Sequence, residues 1–187
     1  MRGKRYDRYV DRKLESGYAW YSRGKYARAQ KRYEQVLAVA ESPALRAYCM
    51  LSIGRLYEQR QEWQAALDWY LRAFAMDQEI DEVWYFISNN AGYCMNRLGR
   101  HREAEAMCRI ATGILPDLPN AWKNLGVALE GLCRWSDAAA SYLIASECWP
   151  EDTRALNLLE RLLAERPEAG AGVQNFAARL AECRSAT

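Results

Sequence analysis

NAWKNLG, residues 120–126, interleaves core-type residues with amides and a cation. At about 100° per residue, a helix puts Trp122, Leu125 and Gly126 on one side and turns Asn120, Lys123 and Asn124 largely to the other. The stretch reads as a helix with one packing face and one polar face. After a short polar turn comes RWSDAAASYLIASECWP, residues 134–150, with Trp135, Ala138, Tyr142 and Ala145 at helical spacing and Pro150 to end the run. Together the two stretches predict a helical hairpin, helix A followed by helix B.

The same spacing recurs. Trp122, Leu125, Gly126, Leu129, Trp135, Ala138, Tyr142 and Ala145 have counterparts in Ser88, Ala91, Gly92, Met95, His101, Ala104, Cys108 and Ala111. Further back they are Met50, Ile53, Gly54, Tyr57, Trp63, Ala66, Tyr70 and Ala73, then Lys13, Ser16, Gly17, Trp20, Tyr26, Ala29, Tyr33 and Val36. A mid-helix glycine costs about 1 kcal/mol relative to alanine, so a glycine at one position of all four units predicts close helix packing there. Tyr33, Tyr70 and Tyr142 are expected to fill the space between neighbouring units, and turns are expected at Gly24-Lys25, Arg60-Gln61, Gly99-Arg100 and Cys133-Arg134.

Glycine, alanine and aromatic at this spacing resemble the tetratricopeptide repeat, W-x2-L-G-x2-Y, then A-x3-F, then P, with a period of 34. The resemblance covers residues 10–152 and implies an all-α fold, an α-solenoid of four helix-turn-helix repeats with a C-terminal capping helix. The expected organisation is a basic N-terminal extension (1–9), repeats at 10–43, 47–80, 81–118 and 119–152, a capping helix (153–166) and an amphipathic tail (167–187). Four extra residues within DQEIDEVWYF, residues 77–86, amount to about one helical turn. They predict that the third helix A starts near Asp81 and that Trp84 extends its apolar side. Leu156, Leu159 and Leu163 give the capping helix its core side, and Val173, Phe176, Ala177 and Leu180 place the tail against the array.

In a tetratricopeptide stack the A helices line the concave side, so their polar positions are the candidate peptide-binding groove. By periodicity these include Tyr48 and Arg55 in the second unit and Phe86, Asn89, Asn90, Tyr93 and Arg97 in the third. Asn120, Lys123 and Asn124 follow in the fourth, and Arg154, Asn157 and Arg161 in the cap. An asparagine both donates and accepts, and so pairs with any peptide backbone; Asn90 and Asn124 sit at one position of successive repeats, like the asparagine ladder of some peptide-binding members. The aromatics offer contact area, and the cations favour an acidic partner or a free C-terminal carboxylate. The carboxylate clamp of chaperone-binding members is matched only in part: Asn90 fits it, whereas Asn120 and Asn124 stand where its cations belong and Val127 replaces a clamp asparagine.

Composition narrows the function classes. Half the residues are hydrophobic, with 7 Trp and 12 Tyr at a net charge of +2, which excludes a disordered chain. No run of about 18 apolar residues predicts membrane insertion, and MRGKRYDRYVDRK lacks a secretory apolar region, so a cytoplasmic location is expected. Six dispersed cysteines without a CxxC pair, and one histidine, predict free thiols and neither metal nor cofactor. With no Gly-rich phosphate loop, HExxH or GxSxG motif, no enzyme is expected. His101 stands where other units carry Trp or Tyr and is expected to be packed. Residues 1–32 hold eleven cations against Asp7, Asp11 and Glu15. That excess makes the basic end a second candidate surface, for an acidic partner or for homo-oligomeric association as a scaffold, with nucleic acid less favoured. The leading expectation is a non-catalytic adaptor with a peptide or protein in its groove.

Overall fold

The computed structural model describes residues 2–76 and 82–186, in two compact units, Met1–Val83 and Trp84–Thr187. The first unit contains α1 (Arg2–Ser22), α2 (Tyr26–Leu37), α3 (Pro43–Gln59) and α4 (Trp63–Phe74). The second contains α5 (Glu82–Arg97), all but its first two residues, then α6 (His101–Ile114), α7 (Pro119–Gly131), α8 (Trp135–Cys148), α9 (Thr153–Glu165), a 3-10 turn (Pro167–Gly170) and α10 (Phe176–Ser185). No strand occurs among the described residues.

Each A helix stops where the sequence places a turn, and by the same device. Gly24, Gln61, Gly99 and Cys133 have φ of 67°, 61°, 74° and 59°, the left-handed region that ends a helix. The Gly24 N–H donates to the Tyr21 carbonyl and Lys25 N–H to Trp20, both at 2.9 Å, and the same pair of bonds recurs at Gln61 and Glu62, Gly99 and Arg100, and Cys133 and Arg134. This is the Schellman closure. It turns the chain directly into helix B.

Within a hairpin the repeated glycine meets the repeated aromatic. A methyl on Gly54 or Gly126 would come within 2.4 Å of the rings of Tyr70 and Tyr142, and one on Gly17 within 2.8 Å of Tyr33. In the third unit Cys108 takes the aromatic's place, with its Sγ 2.5 Å from a methyl on Gly92. Each tyrosine therefore covers the glycine of its own hairpin. Tyr70 and Tyr142 reach past it to donate hydrogen bonds to Glu58 (2.8 Å) and Glu130 (2.7 Å) at the ends of their A helices.

The first unit has its core at Ala29, Tyr33, Ile53 and Leu56, with Val10, Val36 and Cys49 towards the N-terminal side. α1 starts at Arg2 rather than near residue 10, because Tyr6, Tyr9 and Val10 carry the apolar stripe of α1 N-terminally onto the Val36 cluster. In the second unit Leu125, Leu129, Tyr142 and Leu143 pack with Leu156, Leu159 and Leu162 of α9. The tail folds back: Leu180 and Cys183 of α10 join this core, and Arg179 pairs with Glu147 of α8 at 2.6 Å. The expected helix start at Asp81 and the 80/81 repeat boundary fall outside the described residues; Trp84 is half-buried.

Candidate functional site

The polar face of NAWKNLG is only partly surface. Leu125 and Gly126 are buried as the periodicity requires, and the half-buried Trp122 donates its indole N–H to the Pro116 carbonyl at 2.7 Å. Asn124 is also buried, at 6% exposure, because the preceding A helix lies against it. Its Nδ2 donates to Asn89 Oδ1 of α5 at 2.9 Å, and Asn89 Nδ2 in turn donates to Asn90 Oδ1 at 3.0 Å. From α5, Asn96 Nδ2 donates to the Asn124 carbonyl at 2.8 Å. The amides thus bind two A helices to each other, and the Asn90 amide nitrogen is the group of this chain that the Asn89 bond leaves unused.

Beside this chain the second unit has an open hollow of about 440 Å³ lined by Tyr93, Asn96, Arg97, Lys123, Asn124, Val127 and Leu158. Four of the predicted residues meet there: Tyr93, Arg97, Lys123 and Asn124. Asn96 and Val127 come from the same helix faces. Leu158 was not legible as lining, since it lies one position off the Leu156-Leu159-Leu163 stripe; that offset, next to Asn157, was the only signal.

Lys123 is the electrostatic centre of the hollow. Its Nζ donates to Asn120 Oδ1 at 3.0 Å, and no carboxylate lies within ion-pair distance of it among the described residues. Burial first, and then the Arg154 charge, hold its ammonium below the usual lysine range, while Asp152 acts the other way. The cap cations have partners. Arg154 pairs with Asp152 at 2.6 Å and holds that carboxyl down at about 2. Arg161 pairs with Glu130 at 2.5 Å. Asn157 is exposed on α9, and Phe86, 36% exposed, sits edge-on to the Tyr85 ring at 5.2 Å.

In the first unit Tyr48 and Arg55 line a smaller hollow, about 100 Å³, with Tyr18, Tyr21, Tyr33 and Ser52; the Arg55 guanidinium lies 5.8 Å from the Tyr21 ring centre. His101 is packed, its ring filling the space where a side chain on Gly131 would stand, with Nδ1 3.3 Å from Asn96 Oδ1. All six thiols are free, and burial pushes those of Cys49 and Cys108 up to about 12. Among the described residues no cluster of metal-ligating side chains occurs and no helix is long and apolar enough to cross a membrane.

Residues 14–79 match the tetratricopeptide repeat family model. A tetratricopeptide repeat-containing protein of Treponema pallidum is 31% identical over 108 residues, which are 56% of this chain and 44% of that protein. The photosystem I assembly protein Ycf3 of Acaryochloris marina is 25% identical over 58% of this chain and 63% of its own. The chain therefore spans less than two thirds of the curated relatives it matches. Among solved structures, MamA 41-end from Desulfovibrio magneticus RS-1 aligns with a TM-score of 0.73 at 12% identity, over 95% of this chain and 94% of that one. The first tetratricopeptide domain of Spaghetti (RPAP3), bound to an HSP90 peptide, aligns at 0.58 and 21% identity over 64% of this chain and 91% of that one. These likenesses show the fold, the all-α class of tetratricopeptide solenoids read from the sequence.

Proposed function

We propose that the chain, a tetratricopeptide-repeat protein, is a non-catalytic interaction module, an adaptor that holds an extended peptide or a partner's tail against the α5, α7 and α9 face of its second unit. One observation carries the reading: Lys123, a half-buried cation that forms no ion pair among the described residues, stands in a hollow whose apolar lining is Val127 and Leu158. A desolvated ammonium gains more from an incoming carboxylate than an exposed one does. The ligand that fits carries an acidic side chain or a C-terminal carboxylate beside an aliphatic group. Arg97 adds a second cation, Tyr93 offers a ring, and the Asn90 amide nitrogen donates to a peptide carbonyl. RPAP3 domains bound to HSP90 and HSP70 peptides are relatives in fold that support peptide holding as a use of this architecture.

The test is selection of peptides from a random library with free C-termini, followed by titration of the winners. Affinities near micromolar, about −8 kcal/mol, are expected. Lys123→Ala with Asn90→Ala is expected to weaken binding at least about tenfold, with the melting temperature unchanged. Asn124 is left intact, because its substitution would break the bond to Asn89. Selected peptides that bind this variant as tightly as the wild type overturn the reading.

A further inference from the structure

We infer that the guanidinium row Arg5, Arg8 and Arg12 on α1 docks an acidic helical segment of a partner protein, on a surface separate from the peptide-holding hollow. The three side chains stand one helical turn apart and, with Tyr9, line an open hollow of about 320 Å³. Their apolar neighbours hold the helix in place: Tyr6, Tyr9 and Val10 pack on Val36 and Cys49, so the row is fixed on a folded unit rather than on a loose tail.

Among the described residues Arg5, Arg8 and Arg12 form no ion pair, although Asp7, Asp11 and Glu15 share their helix. The ion pairs described in this structure all lie in the second unit, where Glu105, Glu130, Glu147, Asp152 and Glu160 are each bound to an arginine. In the first unit the cations crowd one another: the Lys13 ammonium is held below its ordinary value by burial and then by Arg32, Arg12 and Lys31. Guanidinium groups held on a folded helix without a direct ion pair attract carboxylates and bind them as two-pronged forks.

Geometry selects the occupant. A single stripe of cations along a helix matches carboxylates spaced at i, i+3 or i+4, and i+7 on a second helix. On α1 this stripe is bordered by an acidic one, Asp7, Asp11 and Glu15, which repels a broad polyanion and fixes the register of a partner helix. Single-stranded nucleic acid needs free rings for stacking. Tyr9, the ring that lines the hollow, is already under a cation, with the Lys13 ammonium 5.3 Å from its centre, and on the same helix Arg23 and Arg28 cover Trp20 at 5.7 and 4.6 Å.

The probe is a labelled helical Glu/Ala peptide with carboxylates at those spacings, titrated into the full chain by fluorescence polarisation. A single-stranded oligonucleotide and phosphatidylserine vesicles are titrated alongside. The peptide is expected to bind most tightly and to weaken as salt is raised through the range where the screening length falls below about 10 Å. Arg5→Glu, Arg8→Glu, Arg12→Glu is expected to weaken it at least about tenfold, with helix content checked by circular dichroism. Arg8→Ala alone gives a smaller loss with minimal disturbance of the fold. The Lys123→Ala, Asn90→Ala variant is expected to bind the acidic peptide normally, so failure here and failure of the groove reading are separable. Equal binding by the triple variant overturns the inference. So does tighter binding of the oligonucleotide or the vesicles, or a mass that rises with concentration and is returned to the monomer by the triple substitution.

Discussion

Gly54 and Tyr70 set the distance at which a hairpin closes, and Gly126 and Tyr142 repeat the arrangement. The ring occupies the volume a β-carbon would need and is itself held by a hydrogen bond to the glutamate at the end of the facing helix. Gly54→Ala and Gly126→Ala should each destabilise by about 1–3 kcal/mol through overpacking, read as a lower urea midpoint with an unchanged m-value. A loss of a few tenths would mean that the ring swings aside freely. The turn residues make the opposite prediction. Gln61 and Cys133 adopt a left-handed conformation that Gly24 and Gly99 adopt in the other units. Gln61→Gly and Cys133→Gly should therefore stabilise by about 1 kcal/mol each, a rise in melting temperature that adds in the double variant.

Between elements, the amide chain joins α5 to α7. Removing Asn124's side chain leaves the buried Asn89 Oδ1 without its donor, a loss of about 1–3 kcal/mol. Asn89→Ala and Asn124→Ala should be non-additive, with a coupling of about 0.5–3 kcal/mol in a double-mutant cycle; additive effects would show that the two amides act separately. This pair also marks where the sequence stops being legible. Period and glycine spacing sufficed to read the helical hairpins and their turns, because a repeat writes its backbone geometry several times over, but not the reach of α1 back to Arg2. The fate of a polar residue depends on what the next helix puts opposite it, and that is written once. Asn90 and Asn124 share a repeat position, yet Asn124 lies at 6% exposure on its neighbour's amide while Asn90 keeps a half-exposed donor. Likewise Arg154 and Arg161 read as groove cations, and only their neighbours show that Asp152 and Glu130 hold them. Cys108 gives a converse case: with no phenol to occupy it, Asn96, at the position of Glu58 and Glu130, is free to bond the next helix.

At the scale of the molecule, buried phenols link both units to alkaline pH. Burial pushes Tyr33 of the first unit and Tyr85 of the second up to about 12, and Tyr142 higher still through burial and then its bond to Glu130. An unfolded phenol titrates near 10. A group whose folded value is raised contributes stability that is fully present below the unfolded value and is lost as pH rises through the folded one. The fold should therefore hold up to about pH 10 and weaken between about 10 and 12, as the unfolded chain releases protons that the folded chain retains. The check is a parallel titration of phenolate absorbance and helical circular dichroism. The phenolate signal of these buried rings should rise together with the loss of helix. Full ionisation of all tyrosines near pH 10 with the helices intact would mean that the rings over the repeat glycines are open to water, and that the hairpins are held by something other than the glycine-tyrosine contact.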